Sequence, residues 1–256
     1  MRPGRPDTRH FSRNRLWCET VIAPRQNTDS TANPLYGAAL RGAATWVFDL
    51  DNTLYPASCN LFAQVSQRMG EFIARTFAVD LDEARRRQKG FFQTHGTTLR
   101  GLMVEHGIEP TEFLNFVHDI DLGVVAAMPE LDAALQRLPG RKLIYTNGTV
   151  AHADRILRKL GIHKHFEATF DIVASDYLPK PEIAPYRVML QRHGVDPARA
   201  VMVEDMARNL VPAAALGMTT VWVPTTETWS QPEADGQAHI HHTAPDLTAF
   251  LAALPD

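Results

Sequence analysis

The chain has 256 residues, of which 45% are hydrophobic and 21% charged, so it can form one large globular domain or a main domain with an insert. Its 26 Lys and Arg against 29 Asp and Glu give a net charge of -3, which argues against binding to a nucleic-acid polymer or an anionic membrane surface. No apolar run approaches the roughly 18 residues of a membrane span. The two cysteines, Cys18 and Cys59, lack CxxC spacing, so we expect a soluble protein in a reducing compartment, the cytoplasm.

The first 42 residues differ in composition from the rest of the chain. Arginine recurs through the first fifteen residues, Pro, Ser, Thr and Asn are frequent, and hydrophobic periodicity is weak. An Arg-rich transit peptide is one alternative, whereas Glu19 interrupts the short apolar segment Leu16–Ala23 and argues against a secretory signal. We expect residues 1–42 to be a flexible extension and ordered structure to begin near Ala43.

Five short apolar runs, rich in strand-forming residues, alternate with helical patterns along much of the chain. Three of the helical patterns, Ala151–Leu160, Ile183–His193 and Met206–Leu216, are each followed by a glycine, the usual residue after a helix C-terminus. This alternation predicts an α/β fold with a doubly wound parallel sheet, whose ligand lies beyond the carboxyl ends of the strands. The predicted strands are Thr45–Leu50, Lys142–Thr146, Phe170–Ala174, Ala200–Val203 and Thr219–Val223.

The segment between the first two predicted strands carries helical patterns alone. Asp80 and Glu83 form a variant of the capping box at the start of one helix, and Pro110 fits the first turn of another. A helical insert directly after the first strand would cover the active end of the sheet as a lid. The expected domains are an α/β core at residues 43–56 and 128–256 and a helical cap at residues 57–127.

Asp49 and Asp51 follow the first predicted strand. Because side chains along a strand alternate between its faces, two carboxylates spaced by two residues can point into one pocket. Two anions held close together need a cation or a shared proton, and Mg²⁺ is a hard cation that prefers such oxygen ligands. A bare DxD is more often a turn or helix cap, but the whole string Phe48–Tyr55 after a strand favours a metal site.

Three further polar clusters stand near the ends of later predicted strands. Thr146 and Asn147 occupy a strand-to-helix turn that could receive a phosphoryl oxygen, and Lys180 could neutralise phosphoryl charge. Glu204 and Asp205 are adjacent, so they should point in opposite directions and have different roles. Each cluster alone could be a turn, a solvated lysine or an N-terminal cap. Their shared position at strand ends indicates a functional site.

Taken in this order, the clusters resemble the four motifs of the haloacid dehalogenase-like hydrolases, from the first predicted strand to the last. The resemblance implies a phosphatase in which Asp49 is the nucleophile, transiently phosphorylated, and Asp51 is the general acid and base. It implies that Thr146 binds the transferring phosphoryl group with Asn147 beside it. Lys180 would hold the nucleophile and the phosphate together.

The resemblance also implies Mg²⁺ as cofactor. Its ligands would be the carboxylates of Asp49 and Asp205 and the backbone carbonyl of Asp51, while Glu204 would orient metal-bound water. Asn209, one helical turn after Asp205, is a candidate supporting residue. We further expect acidic, partly desolvated surroundings to hold Asp51 protonated before turnover.

The insert suggests a substrate through a second resemblance, to pyrimidine 5'-nucleotidases. The segments that carry it are His95–Leu102, Phe113–Val117 with Asp119, Asp171–Pro181 and Glu204–Asn209. It implies a UMP- or CMP-like nucleoside monophosphate as substrate, while the net charge argues against a nucleic-acid polymer or membrane as partner. The alternative is a plain helix N-terminus at Thr97 or Thr98. The implied substrate-binding residues of the insert are His95, Thr97, Thr98 and Arg100.

Other functions remain open within and outside this class. Another small phosphate, such as a sugar phosphate or phosphoglycolate, could be the substrate, and a phosphomutase or an inactive phosphate-binding or signalling protein would keep the same residues. A dehalogenase is disfavoured because it needs neither Asp51 nor Asp205. A receiver domain has its acids in a different order, and no GxGxxG supports a nicotinamide-binding domain. His239, His241 and His242 favour an edge strand over a metal site, and the sequence does not indicate an oligomeric state.

Overall fold

Six parallel strands form one sheet in the computed structural model, which describes residues 34–226, 230–232 and 237–254. The strands are β1 (Thr45–Phe48), β2 (Arg141–Tyr145), β3 (Ala168–Phe170), β4 (Ala200–Glu204), β5 (Thr219–Trp222) and β6 (His242–Thr243). They lie in the order β3-β2-β1-β4-β5-β6, and every pairing is parallel. The chain order reverses on either side of β1, where a doubly wound sheet places its ligand.

Ten α-helices accompany the sheet within these described ranges. They are α1 (Pro34–Arg41), α2 (Leu61–Phe77), α3 (Leu81–His95), α4 (Thr98–His106), α5 (Pro110–Val117), α6 (Pro129–Arg137), α7 (Val150–Leu160), α8 (Ile183–His193), α9 (Ala207–Ala215) and α10 (Leu247–Ala252). None of the described helices is both long and apolar enough to cross a bilayer.

Both faces of the sheet are buried, which follows from the alternation of side chains along each strand. In β1, Trp46 and Phe48 join one hydrophobic cluster, whereas Val47 between them joins another with Leu143 and Met202. A parallel strand covered on both faces has a continuous apolar sequence, and this is the pattern that β1 shows. The expected α/β fold with a doubly wound parallel sheet is confirmed.

The helices α2–α5 lie between β1 and α6 in the chain and form a helical insert with its own apolar contacts. Helix α2 packs against α3 and α5, and the rings of Phe72 and Phe113 meet edge to face at a centroid distance of 5.2 Å. The backbone nitrogen of Glu83 donates to Asp80 Oδ1 at 2.8 Å, and Pro110 opens α5. These two helix starts are confirmed.

The helix ends were also predicted correctly, since Gly161, Gly194 and Gly217 all have positive φ. Several boundaries were wrong. Strand β1 ends at Phe48, two residues before the expected Leu50, and β2, β4 and β5 each differ from expectation by one residue at one or both ends. The third strand ends at Phe170 because Asp171 Oδ1 accepts the backbone nitrogen of Ala174 and turns the chain. The edge strand is β6, one residue beyond the expected His239–His241 segment. Ordered structure begins before Ala43, with α1, and the remainder of the expected extension, residues 1–33, lies outside the described residues.

Candidate active site

One cavity of about 810 Å³ lies where the carboxyl ends of β1, β2 and β4 meet the helical insert. Asp49 follows β1, Thr146 follows β2, Asp205 follows β4, and Lys180 comes from the loop before α8. All four side chains line this cavity although up to 156 positions separate them in the sequence, from residue 49 to residue 205. Parallel pairing of β1 with both β2 and β4 brings these strand ends together.

Lys180 is the centre of the polar network at the base of the cavity. It is 2% exposed, and its Nζ donates to Asp49 Oδ1 and to Glu204 Oε2, each at 2.6 Å, and to the carbonyl of Tyr145 at 3.0 Å. Burial alone would lower the pKa of Lys180, but the two carboxylates raise it above its ordinary value. Lys180 is therefore a fixed positive charge between two buried acids.

The buried acids outnumber this lysine. Burial and the neighbouring Glu204 raise the pKa of Asp49 to about 7, and the same two causes raise the pKa of Asp205 well above its usual range. Carboxylate oxygens of Asp49, Glu204 and Asp205 lie within 4.8 Å of one another, the one such acidic group among the described residues. Asp205 Oδ2 is buried and has no hydrogen-bond partner. This donor set fits a hard divalent cation, because oxygen ligands and uncompensated negative charge coincide.

Asp49 is held in place by the turn that follows β1. Its backbone nitrogen donates to the carbonyl of Val203 at 2.9 Å, which extends the pairing of β1 with β4. Its second carboxylate oxygen accepts from Thr53 Oγ1 at 2.9 Å. Asn52 has a φ of 60°, a left-handed conformation that asparagine tolerates and that reverses the chain after Asp51.

Asp51 has different surroundings from those expected. Its Oδ1 accepts from Tyr55 Oη at 2.6 Å and lies 3.2 Å from His152 Nε2. Burial would raise the pKa of Asp51, but His152 and Tyr55 more than offset it and the pKa lies below the ordinary value. The expectation that an acidic environment holds Asp51 protonated was therefore wrong, since its nearest partners stabilise the carboxylate.

The adjacent acids Glu204 and Asp205 do not point in opposite directions as expected, because their carboxylate oxygens lie within 4.8 Å of each other and both residues line the cavity. Strand β4 ends at Glu204, so the alternation of side chains along a strand does not extend to Asp205. Glu204 Oε1 accepts from Asn209 Nδ2 at 3.0 Å and from the backbone nitrogen of Met206 at 3.3 Å, while its other oxygen binds Lys180. Asn209 thus contacts the network directly.

Thr146 and Asn147 form the turn between β2 and α7. Thr146 Oγ1 accepts the backbone nitrogen of Gly148 at 2.9 Å, which leaves its hydroxyl hydrogen for another acceptor. Asn147 Oδ1 accepts the backbone nitrogen of Lys180 at 2.9 Å and so fixes the lysine loop. Both residues line the cavity.

The four insert residues expected to bind substrate separate into two groups. Thr97 and Thr98 line the cavity, and Thr97 Oγ1 also accepts the backbone nitrogen of Arg100 as the cap of α4. His95 instead pairs with Glu105 at 2.6 Å, and neither His95 nor Arg100 is among the residues of the cavity wall. The structure thus places two of these four residues at the site.

Several residues of the site were not assigned from the sequence. His152 and His118 stack beside Asp51, with ring centroids 4.1 Å apart, and burial lowers the pKa of His118 to about 3. His152 had a usable signal, because it lies in the first turn of a helix that begins at the active end of the sheet. His118 had none, since its position depends on how the insert returns to the core. Trp222 also donates from Nε1 to the carbonyl of Asp205 at 2.7 Å.

His239, His241 and His242 belong to no cluster of three or more potential metal ligands among the described residues. His241 Nδ1 accepts the backbone nitrogen of Thr220 at 3.1 Å, and the carbonyl of His239 accepts from the hydroxyl of the same threonine at 2.6 Å. These contacts fasten the segment before β6 to β5, which is a structural role.

Comparison with known proteins agrees with this geometry. A family model described as haloacid dehalogenase-like hydrolase matches residues 44–217, and the chain belongs to that family. Phosphate metabolism protein 8 of Saccharomyces cerevisiae is 26% identical over an alignment of 187 residues that covers 67% of this chain and 58% of that protein. The chain therefore spans less than two thirds of the length of this relative.

Two solved structures share the fold at lower identity. CbbY from Rhodobacter sphaeroides, in complex with phosphate, is 18% identical with a TM-score of 0.56, over 83% of this chain and 96% of that one. The L-2-haloacid dehalogenase from Xanthobacter autotrophicus with chloropropionic acid covalently bound is 16% identical with a TM-score of 0.52, over 83% of this chain and all of that one. These similarities show the fold alone. The reaction must be inferred from the side chains of the site.

Proposed function

We propose that this hydrolase is a Mg²⁺-dependent phosphomonoesterase that acts through a phosphorylated aspartate. The observation that carries the proposal is the unpartnered, buried Oδ2 of Asp205 beside the carboxylates of Asp49 and Glu204. A reaction that needs only a carboxylate nucleophile does not require three buried carboxylates next to one another. A divalent cation together with a phosphoryl group accounts for it.

The metal would be held by the carboxylates of Asp49 and Asp205 and by the backbone carbonyl of Asp51. When bound, Mg²⁺ would offset the charge on the oxygens of the transferring phosphoryl group. Glu204 accepts from Lys180 and Asn209, so its proposed role is to fix Lys180 and to orient water at the metal.

The reaction is proposed to proceed in two displacements at phosphorus. In the first, a carboxylate oxygen of Asp49 forms a bond to phosphorus, the bond to the ester oxygen breaks, and Asp51 gives a proton to the departing alcohol. In the second, Asp51 takes a proton from water as the water oxygen attacks phosphorus, which releases phosphate and restores Asp49. The first displacement requires protonated Asp51, whereas His152 and Tyr55 lower its pKa in the free protein, so we propose that Asp51 takes up this proton from solvent as the negatively charged ester binds. We infer that the Lys180 ammonium and the Thr146 hydroxyl contact the phosphoryl oxygens, because both residues line the cavity with Asp49.

We propose a pyrimidine nucleoside 5'-monophosphate as substrate. The support is the resemblance of the insert and the size of the cavity, whose 810 Å³ is within the range of small-molecule sites. The insert contributes apolar side chains to the wall, among them Met69, Phe92 and Phe113, against which a base could pack. Because Thr97 and Thr98 are the expected contacts that reach the cavity, we assign the choice of base to them rather than to His95 or Arg100.

The direct test is phosphate release from UMP, CMP, AMP, GMP, ribose 5-phosphate and phosphoglycolate, each measured with Mg²⁺ and with EDTA. We expect release that requires Mg²⁺ and is fastest for UMP or CMP. Faster release from ribose 5-phosphate or phosphoglycolate would contradict the nucleotide assignment and identify that ester as the better substrate. Conversion of a substrate without phosphate release would indicate a phosphomutase. No reaction with any ester would favour an inactive phosphate-binding protein.

Two variants test the assignment within the insert. Thr98→Val keeps the shape of the side chain and removes its hydroxyl, and we expect it to change the ratio of kcat/KM values among the four nucleotides. Arg100→Gln, two residues away and outside the cavity wall, is the matched control and should leave that ratio unchanged. The opposite pattern would restore Arg100 as the selecting residue.

A further inference from the structure

The carboxylate of Asp51 is held by two side chains on one of its oxygens. Tyr55 Oη and His152 Nε2 contact the same atom, Oδ1, at 2.6 Å and 3.2 Å. A carboxylate fixed through one oxygen has its plane set and its other oxygen directed, which is what a proton donor to a departing alcohol requires. His152 is 2% exposed, so its ring has little freedom to move.

We propose that His152 is a positioning residue for Asp51 and that His118, from the segment by which the insert returns to the core, holds the His152 ring in place. This inference rests on the proposed function, because it assigns the role to a residue that acts on the general acid and base. His152 and His118 would neither bind the phosphoryl group nor exchange the catalytic proton.

The backbone of His152 is fixed by the start of α7. Thr149 Oγ1 accepts the backbone nitrogen of His152 at 3.2 Å, which caps the helix and places His152 in its first turn. As Asp51 is a carboxylate acceptor, His152 must donate through Nε2 and carry its proton there. The helix cap and the side-chain hydrogen bond thus define a single orientation of the ring.

The ring of His118 covers the His152 ring from the insert side. Their centroids are 4.1 Å apart and their planes differ by 14°. Thr149 Oγ1 lies 3.2 Å from His118 Nδ1, and since this hydroxyl already accepts from the backbone, its hydrogen is available to donate to His118. One threonine therefore contacts both the ring of His118 and the backbone nitrogen of His152.

The segment that carries His118 is fastened to α7 independently of its ring. Arg155 on α7 donates to the carbonyl of His118 at 2.9 Å and to the carbonyl of Ile120 at 3.2 Å. A substitution of the His118 side chain should therefore leave the backbone of this segment in place. The contact chain from His118 through His152 to Asp51 joins the insert to the catalytic acid.

The leaving group provides a readout that a merely structural role would not give. A sugar hydroxyl such as that of UMP needs a proton as it departs, whereas p-nitrophenolate departs as a stable anion. The hydrolysis of the phosphorylated aspartate needs Asp51 as a base with either substrate. Loss of positioning should therefore slow the first step for UMP alone and the second step for both.

The experiment is rapid-quench kinetics with UMP and with p-nitrophenyl phosphate, both in Mg²⁺. For His152→Ala we expect the first turnover of UMP to slow by about 10-fold to 100-fold, while the p-nitrophenolate burst stays within about 2-fold of wild type. His152→Gln, whose amide can donate near the position of Nε2, should recover much of the loss. His118→Ala should also slow the first turnover of UMP without changing the p-nitrophenolate burst, but by a smaller factor than His152→Ala. His118→Phe keeps a flat ring and should slow the UMP turnover less than His118→Ala.

A second histidine that pairs with a carboxylate serves as the matched control. His165 Nε2 lies 2.6 Å from Asp132 Oδ1, away from the cavity wall, so His165→Ala removes a similar pair and should change neither first step. Equal slowing of the UMP turnover and of the p-nitrophenolate burst in His152→Ala would show a structural role alone. If His152→Ala slowed neither the UMP turnover nor the p-nitrophenolate burst, His152 would have no role in positioning Asp51.

Imidazole NMR separates this inference from the proposed function because it needs no turnover. The nitrogen spectrum of the wild-type chain should show His152 as the Nε2–H tautomer, and Asp51→Ala should remove that preference. A wild-type chain that hydrolyses no ester would overturn the phosphatase assignment while leaving this contact intact. An Nδ1–H tautomer in the wild type would overturn the positioning role itself.

Discussion

Replacement of Lys180 by methionine should destabilise the protein strongly, because it leaves two buried carboxylates facing each other. Lys180 Nζ lies 2.6 Å from both Asp49 Oδ1 and Glu204 Oε2, and all three side chains are buried. Removal of one partner from a buried ion pair costs about 3–5 kcal/mol. At roughly 2–4 °C per kcal/mol for a chain of this size, we expect Tm to fall by about 6–20 °C in metal-free buffer.

Calorimetry at neutral pH in EDTA measures this change, and two further variants sharpen it. Lys142 is also buried, but its Nζ donates to the carbonyls of Leu138 at 2.6 Å and Gly140 at 3.2 Å. Lys142→Met should therefore cost less, about 1–3 kcal/mol. Adding Glu204→Gln to Lys180→Met removes one of the opposed charges and should recover part of the loss. A Lys180→Met chain as stable as Lys142→Met, or a double variant less stable than Lys180→Met, would refute this reasoning.

Three other predictions test separate parts of the account. Asp49→Asn should lower the rate of phosphate release by on the order of 10³ or more, about 4 kcal/mol of barrier, and a wild-type rate would reject Asp49 as nucleophile. Mg²⁺ at 100 times its Kd should stabilise the wild type by about 2.7 kcal/mol, and Asp205→Asn should lose most of that gain in thermal unfolding; an equal gain would reject Asp205 as a ligand. Gly101→Ala should cost about 1–3 kcal/mol because its Cβ would lie 2.6 Å from Phe91, whereas Gly90→Ala, with no atom within 4 Å, should stabilise α3 by about 0.5–1 kcal/mol in urea unfolding.

The sheet could be predicted because its strands are buried on both faces and its helices end at glycines. Continuous apolar runs such as Thr45–Phe48 identify buried strands, and Gly161 and Gly194 mark helix ends through their positive φ. The end of β3 could not be predicted in this way, because the side chain of Asp171 replaces the strand by a turn through a hydrogen bond three residues on. Apolar residues continue past that point, so hydrophobicity alone indicates a longer strand.

The residues that end the strands could also be predicted, since topology alone brings Asp49, Thr146 and Asp205 to one edge. Their partners depend on packing between distant segments. The environment of Asp51 is an example, because its low pKa comes from His152 on α7 and from Tyr55 in its own turn. His95 shows the same limit, since its pairing with Glu105 across the α3–α4 turn depends on side-chain directions that spacing does not specify.

The central claim is that Asp49 becomes phosphorylated while Asp205 and Asp49 hold Mg²⁺. The most direct measurement is acid quenching of the wild-type chain during its first turnover of p-nitrophenyl phosphate in Mg²⁺, followed by mass spectrometry of its peptides. We predict one phosphate on the peptide that contains Asp49, at the carboxyl group of that residue, formed only when Mg²⁺ is present. Phosphate on another residue, or the same labelled peptide formed in excess EDTA, would contradict the account.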